Sequence, residues 1–117
     1  MSYELTPDQQ RLSDEVRDFA DQVVAPAAYE YDTRRELPYD ILAQMGEMGL
    51  FGLPFPEEYG GQGKSYLHLC LAVEQLARAD QSIAATLEAG GGLGAMPLLR
   101  GGTEAQKQEW LPLLAQG

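Results

Sequence analysis

The glycine run Gly90-Gly91-Gly92-Leu93-Gly94 is the first segment whose composition could support chemistry. A phosphate-binding loop needs backbone N–H groups at the start of a helix that is reached from a strand. Here the preceding residues have a helical pattern, and no Lys-Ser or Lys-Thr pair follows. Glycines also remove side-chain volume, so that a ligand or a neighbouring helix can approach the backbone. The sequence favours such an approach, or a flexible turn, over phosphate binding.

Glu74 is the second candidate, because it lies in the middle of the most apolar helical segment. A carboxylate in apolar surroundings is costly unless it is paired, and its pKa is often shifted. No second carboxylate, histidine or nucleophile is placed in the sequence to work with it as a catalytic base. We therefore predict a structural pair between Glu74 and Arg78, one helical turn further on.

The other reactive residue types are isolated in the sequence. His68 has no ligand partners at metal-binding spacing, which predicts a solvent-facing or edge histidine and no metal site. Cys70 is predicted to be a small buried hydrophobe rather than a reactive thiol. Ser13, Ser65 and Ser82 have no His or Asp arrangement that suggests a nucleophile, although distant residues can meet in space. We predict no self-sufficient catalytic site in this chain.

The elements that would position these residues are helices. Thr6, Pro7 and Gln9 form a capping box with proline at the first helical position. The apolar residues that follow recur with a period of about 3.6 residues, which predicts one buried stripe. Pro26 is expected to break or restart this helix, because it cannot donate to the helical ladder.

The rest of the chain repeats such start signals. A dense set of prolines and glycines marks a long loop over residues 50–63. The helix that follows is apolar almost all round, which predicts a central helix covered on several sides. No segment alternates apolar and polar residues. We predict one domain, residues 1–117, with an all-α bundle of about six helices. A short second helix is predicted through Ala27 and Tyr31, and it should fade at Thr33-Arg34-Arg35. The later helices are predicted to begin at Pro38, at Ser65, at Asp80 or Ser82, and at Thr103.

The composition excludes several classes of partner. Eight Lys and Arg residues against 18 Asp and Glu residues give a formal net charge of −10. Such an acidic surface disfavours nucleic acids and anionic membranes. The single cysteine cannot form an internal disulfide, and no leader or membrane-spanning run is recognisable. These features predict a soluble cytoplasmic protein.

An ordered series of motifs resembles the amino-terminal helical domain of the acyl-CoA dehydrogenases. The segment Glu57-Glu58-Tyr59-Gly60-Gly61 is followed by Thr103–Lys107 and then by Trp110-Leu111-Pro112. Leu5–Gln9 and Glu74–Arg78 are also similar to the family pattern. Each motif is weak by itself, but the series covers essentially the whole chain.

The resemblance implies a three-domain flavoenzyme, with a middle β domain and a carboxy-terminal helical domain after this one. Members of the family bind FAD, oxidise the Cα–Cβ bond of an acyl-CoA thioester and pass electrons to an electron-transfer flavoprotein. Their catalytic glutamate and most flavin contacts lie outside the part that this chain covers. The resemblance therefore implies that these residues alone contain no catalytic residue, bind no FAD and do not dehydrogenate a substrate.

The resemblance also places one wall of the acyl pocket on the fifth helix. The matching residues are predicted to contact the acyl-CoA substrate: Ala85, Thr86, Ala89, Gly90 and Leu93. The chain departs from the family pattern at Gly91-Gly92, where many members carry larger residues. This departure could open space for a bulky acyl group, or it could loosen the helix.

One further expectation concerns association. Helices that would face the absent domains should expose apolar surface, which predicts dimers or higher homo-oligomers.

The alternative function is a stand-alone helical module that binds acyl groups or other proteins without catalysis. The encoding reading frame discriminates between the two functions.

Overall fold

The computed structural model describes residues 2–117, and these form an all-α bundle without strands in that range. The predicted fold class is confirmed. Two short 3-10 turns, Leu50–Gly52 and Glu57–Tyr59, lie in the long loop between the third and fourth helices. The α-helices are α1 (Pro7–Phe19), α2 (Ala25–Arg34), α3 (Tyr39–Glu47), α4 (Tyr66–Ala79), α5 (Gln81–Glu88), α6 (Ala95–Gly101) and α7 (Glu104–Gln116).

Two π-helical segments join these helices into five continuous rods. The segment π1 (Ala20–Val24) connects α1 to α2, and π2 (Ala89–Gly94) connects α5 to α6. In π1 the N–H of Ala25 donates to the carbonyl of Ala20, five residues back. This wider turn precedes Pro26 and accommodates its ring, which would otherwise clash with a carbonyl of the preceding turn. The predicted restart at Pro26 is confirmed, because α2 begins at Ala25 with the proline in its first turn and ends at Arg34. The rod itself does not break there, and five rods contain the helices that the sequence predicted as about six.

Both predicted capping boxes are confirmed, whereas Ser65 precedes α4 without a side-chain cap. Thr6 and Thr103 each form the predicted capping box, with Gln9 and Gln106 respectively. Asp80, rather than Ser82, caps α5, because its carboxylate accepts from the N–H of Ser82 at 2.7 Å. These caps satisfy donors at the helix ends that the helices themselves leave free.

The main core lies between α1, α4 and α5. Val16 of α1, Leu76 of α4 and Leu87 of α5 are fully buried in one apolar cluster. Only one side of α4 contributes to this core, because Tyr66 and Leu67 are 38% and 46% exposed. The prediction of a central helix covered on several sides is therefore wrong, and α4 presents an open face to solvent.

A second core cluster fixes the long loop against α7. Phe55 and Tyr59 of the loop pack with Leu111 and Ala115 of α7. The Tyr59 hydroxyl donates to the Glu104 carboxylate, with both oxygens at 2.9 Å. The loop is thereby held to the start of α7, 45 residues further along the chain.

The contact between Tyr59 and Glu104 gives the fold a dependence on alkaline pH. Burial, followed by the hydrogen bond to Glu104, raises the pKa of Tyr59 to about 12 from 10.0. The neutral phenol therefore stabilises the fold below pH 10, and this contribution is lost as the pH rises through about 12.

We expect Tyr59→Phe to have a lower free energy of unfolding at pH 7 and to lose less stability than the parent between pH 10 and 11.5. Urea unfolding at several pH values measures both effects. Tyr29→Phe is the matched control, since Tyr29 is 82% exposed. Equal alkaline loss in the parent and in Tyr59→Phe would contradict the assignment.

Candidate functional site

An open apolar groove runs between α4 and the rod formed by α5, π2 and α6. We call it the α4 groove, and its volume is about 610 Å³. Its floor and walls are mostly aliphatic and aromatic, as in binding sites for small apolar ligands. The lining residues are Tyr66, Leu69, Cys70, Val73, Glu74, Glu88, Gly92, Leu93, Met96 and Pro97.

The two ends of the α4 groove differ in chemistry. At one end the Tyr66 hydroxyl donates to the sulfur of Met96 across the groove, at 3.2 Å. At the other end lie the carboxylates of Glu74 and Glu88. Within residues 2–117 neither carboxylate has a hydrogen-bond or ion-pair partner. The groove therefore passes from a neutral, bridged end to an acidic end.

The predicted pair between Glu74 and Arg78 is wrong. Arg78 donates instead to Asp21 at 2.9 Å and to Gln75 at 3.4 Å. Glu74 is exposed on the open face of α4, so its charge needs no buried partner. The apolar sequence of α4 suggested burial, but that apolar surface lines an open groove.

The glycine run forms part of the continuous helical rod. An added Cβ at Gly91 would contact the Leu69 side chain of α4 at 3.4 Å, and one at Gly90 would lie 3.3 Å from the Phe51 ring. Close approach of a neighbouring element is therefore confirmed. Because the run lies inside a helix, it offers no free N–H cradle at a helix start, and the phosphate-loop alternative has no structural support.

Gly92 has a different neighbour, the side chain of Glu88. A Cβ added at Gly92 would lie only 2.6 Å from the Glu88 Oε1 atom. The carboxylate thus occupies the space that a side chain at position 92 would take. The Glu88 side chain thus lies next to the space at Gly92 that the sequence suggested for a bulky acyl group, and this neighbour was not predicted.

A second apolar groove lies on the other side of the same rod. We call it the Trp110 groove, and its volume is about 580 Å³. Trp110 and Leu113 are 50% and 57% exposed at its rim. Its lining residues are Tyr39, Leu42, Ala43, Phe51, Thr86, Gly90, Trp110, Leu113, Leu114 and Gly117.

The five predicted wall residues lie along one surface of the rod but face different grooves. Ala85, Ala89 and Leu93 are exposed at a spacing of four residues and form a stripe, at whose end Leu93 lines the α4 groove. Thr86 and Gly90 are half-buried and line the Trp110 groove. The stripe is therefore the ridge between the two grooves.

The structure brings together a serine, a histidine and an aspartate that are distant in sequence. The Ser65 hydroxyl lies 2.8 Å from His68 Nδ1, and His68 Nε2 lies 3.1 Å from Asp8 Oδ2. His68 is 8% exposed, so of the two predicted positions, solvent-facing or edge, the solvent-facing one is wrong. The residue lies near the start of α4 and lines a surface cavity. The burial of His68 follows from its contact with Asp8 of α1, which also accepts from Lys64 just before α4.

This arrangement ties α1 to α4 and is unsuited to hydrolysis. Asp8 accepts from Lys64 at 2.6 Å and from Arg11 at 2.5 Å, so two cations already neutralise the carboxylate that would have to stabilise a histidinium. The adjacent cavity of about 260 Å³ is lined by Asp8 and His68 but not by Ser65. A substrate bound there would not meet the nucleophile.

The Asp8 contacts predict acid sensitivity. The Lys64 ammonium, followed by the Arg11 guanidinium, holds the pKa of Asp8 well below its ordinary value of 3.8. The charged form therefore stabilises the fold above pH 3.8, and this contribution is lost as the pH falls below that value. We expect Asp8→Asn to lower the melting temperature at pH 7 and to show a smaller deficit at pH 2, because the contribution shrinks progressively below pH 3.8 and vanishes only below the lowered pKa. A constant difference at both pH values would contradict the role of Asp8.

The cysteine prediction is also wrong. Cys70 is exposed and lines the α4 groove, because it lies on the open face of α4 together with Tyr66 and Glu74. Within the described residues there is no group of three side chains that could hold a metal ion. The apolar grooves, rather than a polar centre, are the candidate binding surfaces.

Comparison with known proteins assigns this chain to a family. The family model described as "Acyl-CoA dehydrogenase, N-terminal domain" matches residues 6–117. The chain belongs to the acyl-CoA dehydrogenase family. A probable acyl-CoA dehydrogenase of Bacillus subtilis is 45% identical over 117 residues, which are 100% of this chain and 31% of that protein.

Solved structures agree with this acyl-CoA dehydrogenase assignment. Butyryl-CoA dehydrogenase from Megasphaera elsdenii has a TM-score of 0.92 and 35% identity, over 99% of this chain and 31% of that one. A chain in a structure titled as the electron transferring flavoprotein of Acidaminococcus fermentans has a TM-score of 0.95 and 41% identity. That match covers 100% of this chain and 31% of the other. The chain thus spans about a third of the length of its acyl-CoA dehydrogenase relatives.

The motifs that suggested the acyl-CoA dehydrogenase family meet in space. Tyr59 donates to Glu104, and Gly60 packs against Pro112, where an added Cβ would lie 3.8 Å from the proline Cα. The motifs Glu57–Gly61, Thr103–Lys107 and Trp110–Pro112 therefore belong to one packed contact between the loop and α7. No helix among residues 2–117 has the length and apolarity needed to cross a membrane.

Proposed function

We propose that residues 1–117 are the amino-terminal domain of an FAD-dependent acyl-CoA dehydrogenase and form one wall of its acyl pocket. The wall supports α,β-dehydrogenation of an acyl-CoA thioester by the longer protein, whose middle β and carboxy-terminal helical domains would follow. The observation that carries this proposal is an open apolar groove on the surface of a member of the acyl-CoA dehydrogenase family.

The wall consists of the stripe Ala85, Ala89 and Leu93, with Thr86 and Gly90 at its border. Small side chains on an exposed ridge let a linear acyl chain approach the helix closely. Each methylene that is removed from water on such a surface contributes about 0.8 kcal/mol to binding. The acyl chain lies along the stripe and enters the α4 groove at Leu93.

FAD does not fit the residues of this chain by themselves. Its pyrophosphate needs free N–H groups at a helix start or basic side chains. The glycine run is inside a rod, and both apolar grooves lack Lys and Arg. We propose that the rest of the longer protein holds FAD and the catalytic base, that it passes electrons to an electron-transfer flavoprotein, and that residues 1–117 alone are inactive.

The experiment begins with the reading frame that encodes this chain. Its whole product is purified, its flavin spectrum is recorded, and oxidation of butyryl-CoA is followed with an artificial electron acceptor. We expect bound flavin and turnover for the whole product and neither for residues 1–117. A frame that ends at Gly117, or a flavin-loaded product that oxidises no acyl-CoA, would overturn the proposal.

The alternative is a stand-alone acyl-binding or interaction module. It is favoured by one observation, which is that residues 2–117 form both apolar grooves without help from other chains. Titration calorimetry of residues 1–117 with acyl-CoA tests this alternative. Micromolar binding without a flavin domain would support the module over the enzyme.

Self-association and a cytoplasmic location stay predictions. The exposed Trp110 and Leu113 side chains provide apolar surface for association of the isolated chain. We expect light scattering to show dimers or larger species of residues 1–117 at high concentration. A monomer at all concentrations would contradict this expectation.

A further inference from the structure

We propose that Glu88, together with Glu74, makes the α4 groove selective for acyl groups with an uncharged tail and excludes acyl groups that end in a carboxylate. This inference rests on the proposed function, since it assigns the substrate class of the same acyl pocket. It concerns residues outside the five predicted for the wall.

The first step is the arrangement of the two glutamates along the groove. Because α4 and α5 form an antiparallel hairpin around Asp80, Glu74 of α4 and Glu88 of α5 lie at the same end of the groove. Tyr66 and Met96 lie at the opposite end, where their side chains are in contact. Two negative charges therefore share one end of an otherwise apolar surface.

The second step is that these charges are not neutralised. In the described part of the chain no cation lies within ion-pair distance of Glu74 or Glu88, and no Lys or Arg lines the groove. The Glu88 carboxylate lies over Gly92, where a Cβ added to the glycine would be 2.6 Å from its Oε1 atom. Its charge therefore lies at the groove wall.

The third step concerns the direction of the ligand. Coenzyme A carries several phosphate charges, which like charges at the acidic end would repel. The acyl tail, rather than the coenzyme, therefore points toward Glu74 and Glu88. A methyl-terminated tail tolerates carboxylates at the rim, whereas a terminal carboxylate would be repelled by two like charges at that end of the groove.

The test uses the flavin-loaded whole protein and two probes, butyryl-CoA and glutaryl-CoA. We expect kcat/KM for butyryl-CoA to exceed that for glutaryl-CoA strongly in the parent. Glu88→Gln, which keeps the side-chain shape, should raise the ratio of glutaryl-CoA to butyryl-CoA activity by about tenfold. Glu109→Gln is the matched control, because it removes the same charge from an exposed site on α7 outside the groove.

Three outcomes distinguish the claims. A rise of the ratio in Glu88→Gln and not in Glu109→Gln supports the selectivity. Oxidation of both thioesters with an unchanged ratio in Glu88→Gln refutes the selectivity and leaves the proposed function standing. Failure of the flavin-loaded protein to oxidise either thioester refutes the proposed function, and the selectivity falls with it.

Discussion

Gly61→Ala is expected to destabilise the domain by about 3 kcal/mol or more, as overpacking does when a rigid neighbour must move. An added Cβ would lie 2.2 Å from the Phe55 carbonyl oxygen and 2.3 Å from the Phe55 Cβ atom. Phe55 is fully buried in the second core cluster, so the backbone at Gly61 can move only if that cluster opens. A domain of this size has about 5–15 kcal/mol of stability, so the loss is a large fraction of the total.

Urea unfolding of Gly61→Ala and of the control Gly101→Ala measures this effect. Gly101 ends α6, and a Cβ added there has no neighbour within 4 Å. The control should keep or increase the stability, because alanine is favoured over glycine in a helix by about 1 kcal/mol. Equal midpoints for the two variants would show that the loop does not depend on this close contact.

Leu93→Trp is expected to lower kcat/KM for medium-chain acyl-CoA by at least about tenfold in the flavin-loaded whole protein, as filling a hydrophobic pocket does. Leu93 is 71% exposed and lines the α4 groove, so an indole fits without disturbing the core. The loss should be smaller for butyryl-CoA, whose shorter tail reaches less far along the groove.

Leu113→Trp is the matched control for this substitution. Leu113 is 57% exposed and lines the Trp110 groove, so the same change of volume is made outside the α4 groove. The control should leave kcat/KM near that of the parent. A loss of activity in Leu113→Trp with none in Leu93→Trp would place the acyl chain on the other side of the rod.

Local signals in the sequence predicted local structure well. The capping boxes at Thr6 and Thr103 are set by residues three positions apart, and both are confirmed. Pro26 marked the restart of a helix at α2, but it did not show that the rod stays continuous, because π1 shifts the bonding pattern ahead of the proline. That adjustment depends on the packing of the whole rod and has no local signature.

Contacts between distant residues account for the other differences. His68 is buried because Asp8, 60 residues earlier, reaches its ring. Tyr59 and Glu104 belong to two motifs that the sequence shows separately, yet they form one hydrogen bond. Such pairs follow from the tertiary fold, which helical periodicity alone does not specify.

The candidate site was predictable only in part. The wall residues were predicted on one helix, and the structure places them along one surface of the rod. Leu93, at the end of the exposed stripe, lines the α4 groove, whereas Thr86 and Gly90 line the Trp110 groove. The missed side of the α4 groove had a signal, because the apolar residues Tyr66, Cys70 and Val73 recur at helical spacing along the groove side of α4. An apolar stripe opposite a core stripe indicates a second contact surface rather than deeper burial.

The central claim is that the acyl chain binds against the rod from Ala85 to Leu93 and in the α4 groove. The most direct test is photolabelling of the flavin-loaded protein with an acyl-CoA that carries a diazirine at its tail, followed by mass spectrometry of the labelled peptides. We predict label on Leu93 and on the neighbouring groove residues Val73 and Glu88. Label confined to Trp110 and Leu113, or to no residue of this domain, would contradict the claim.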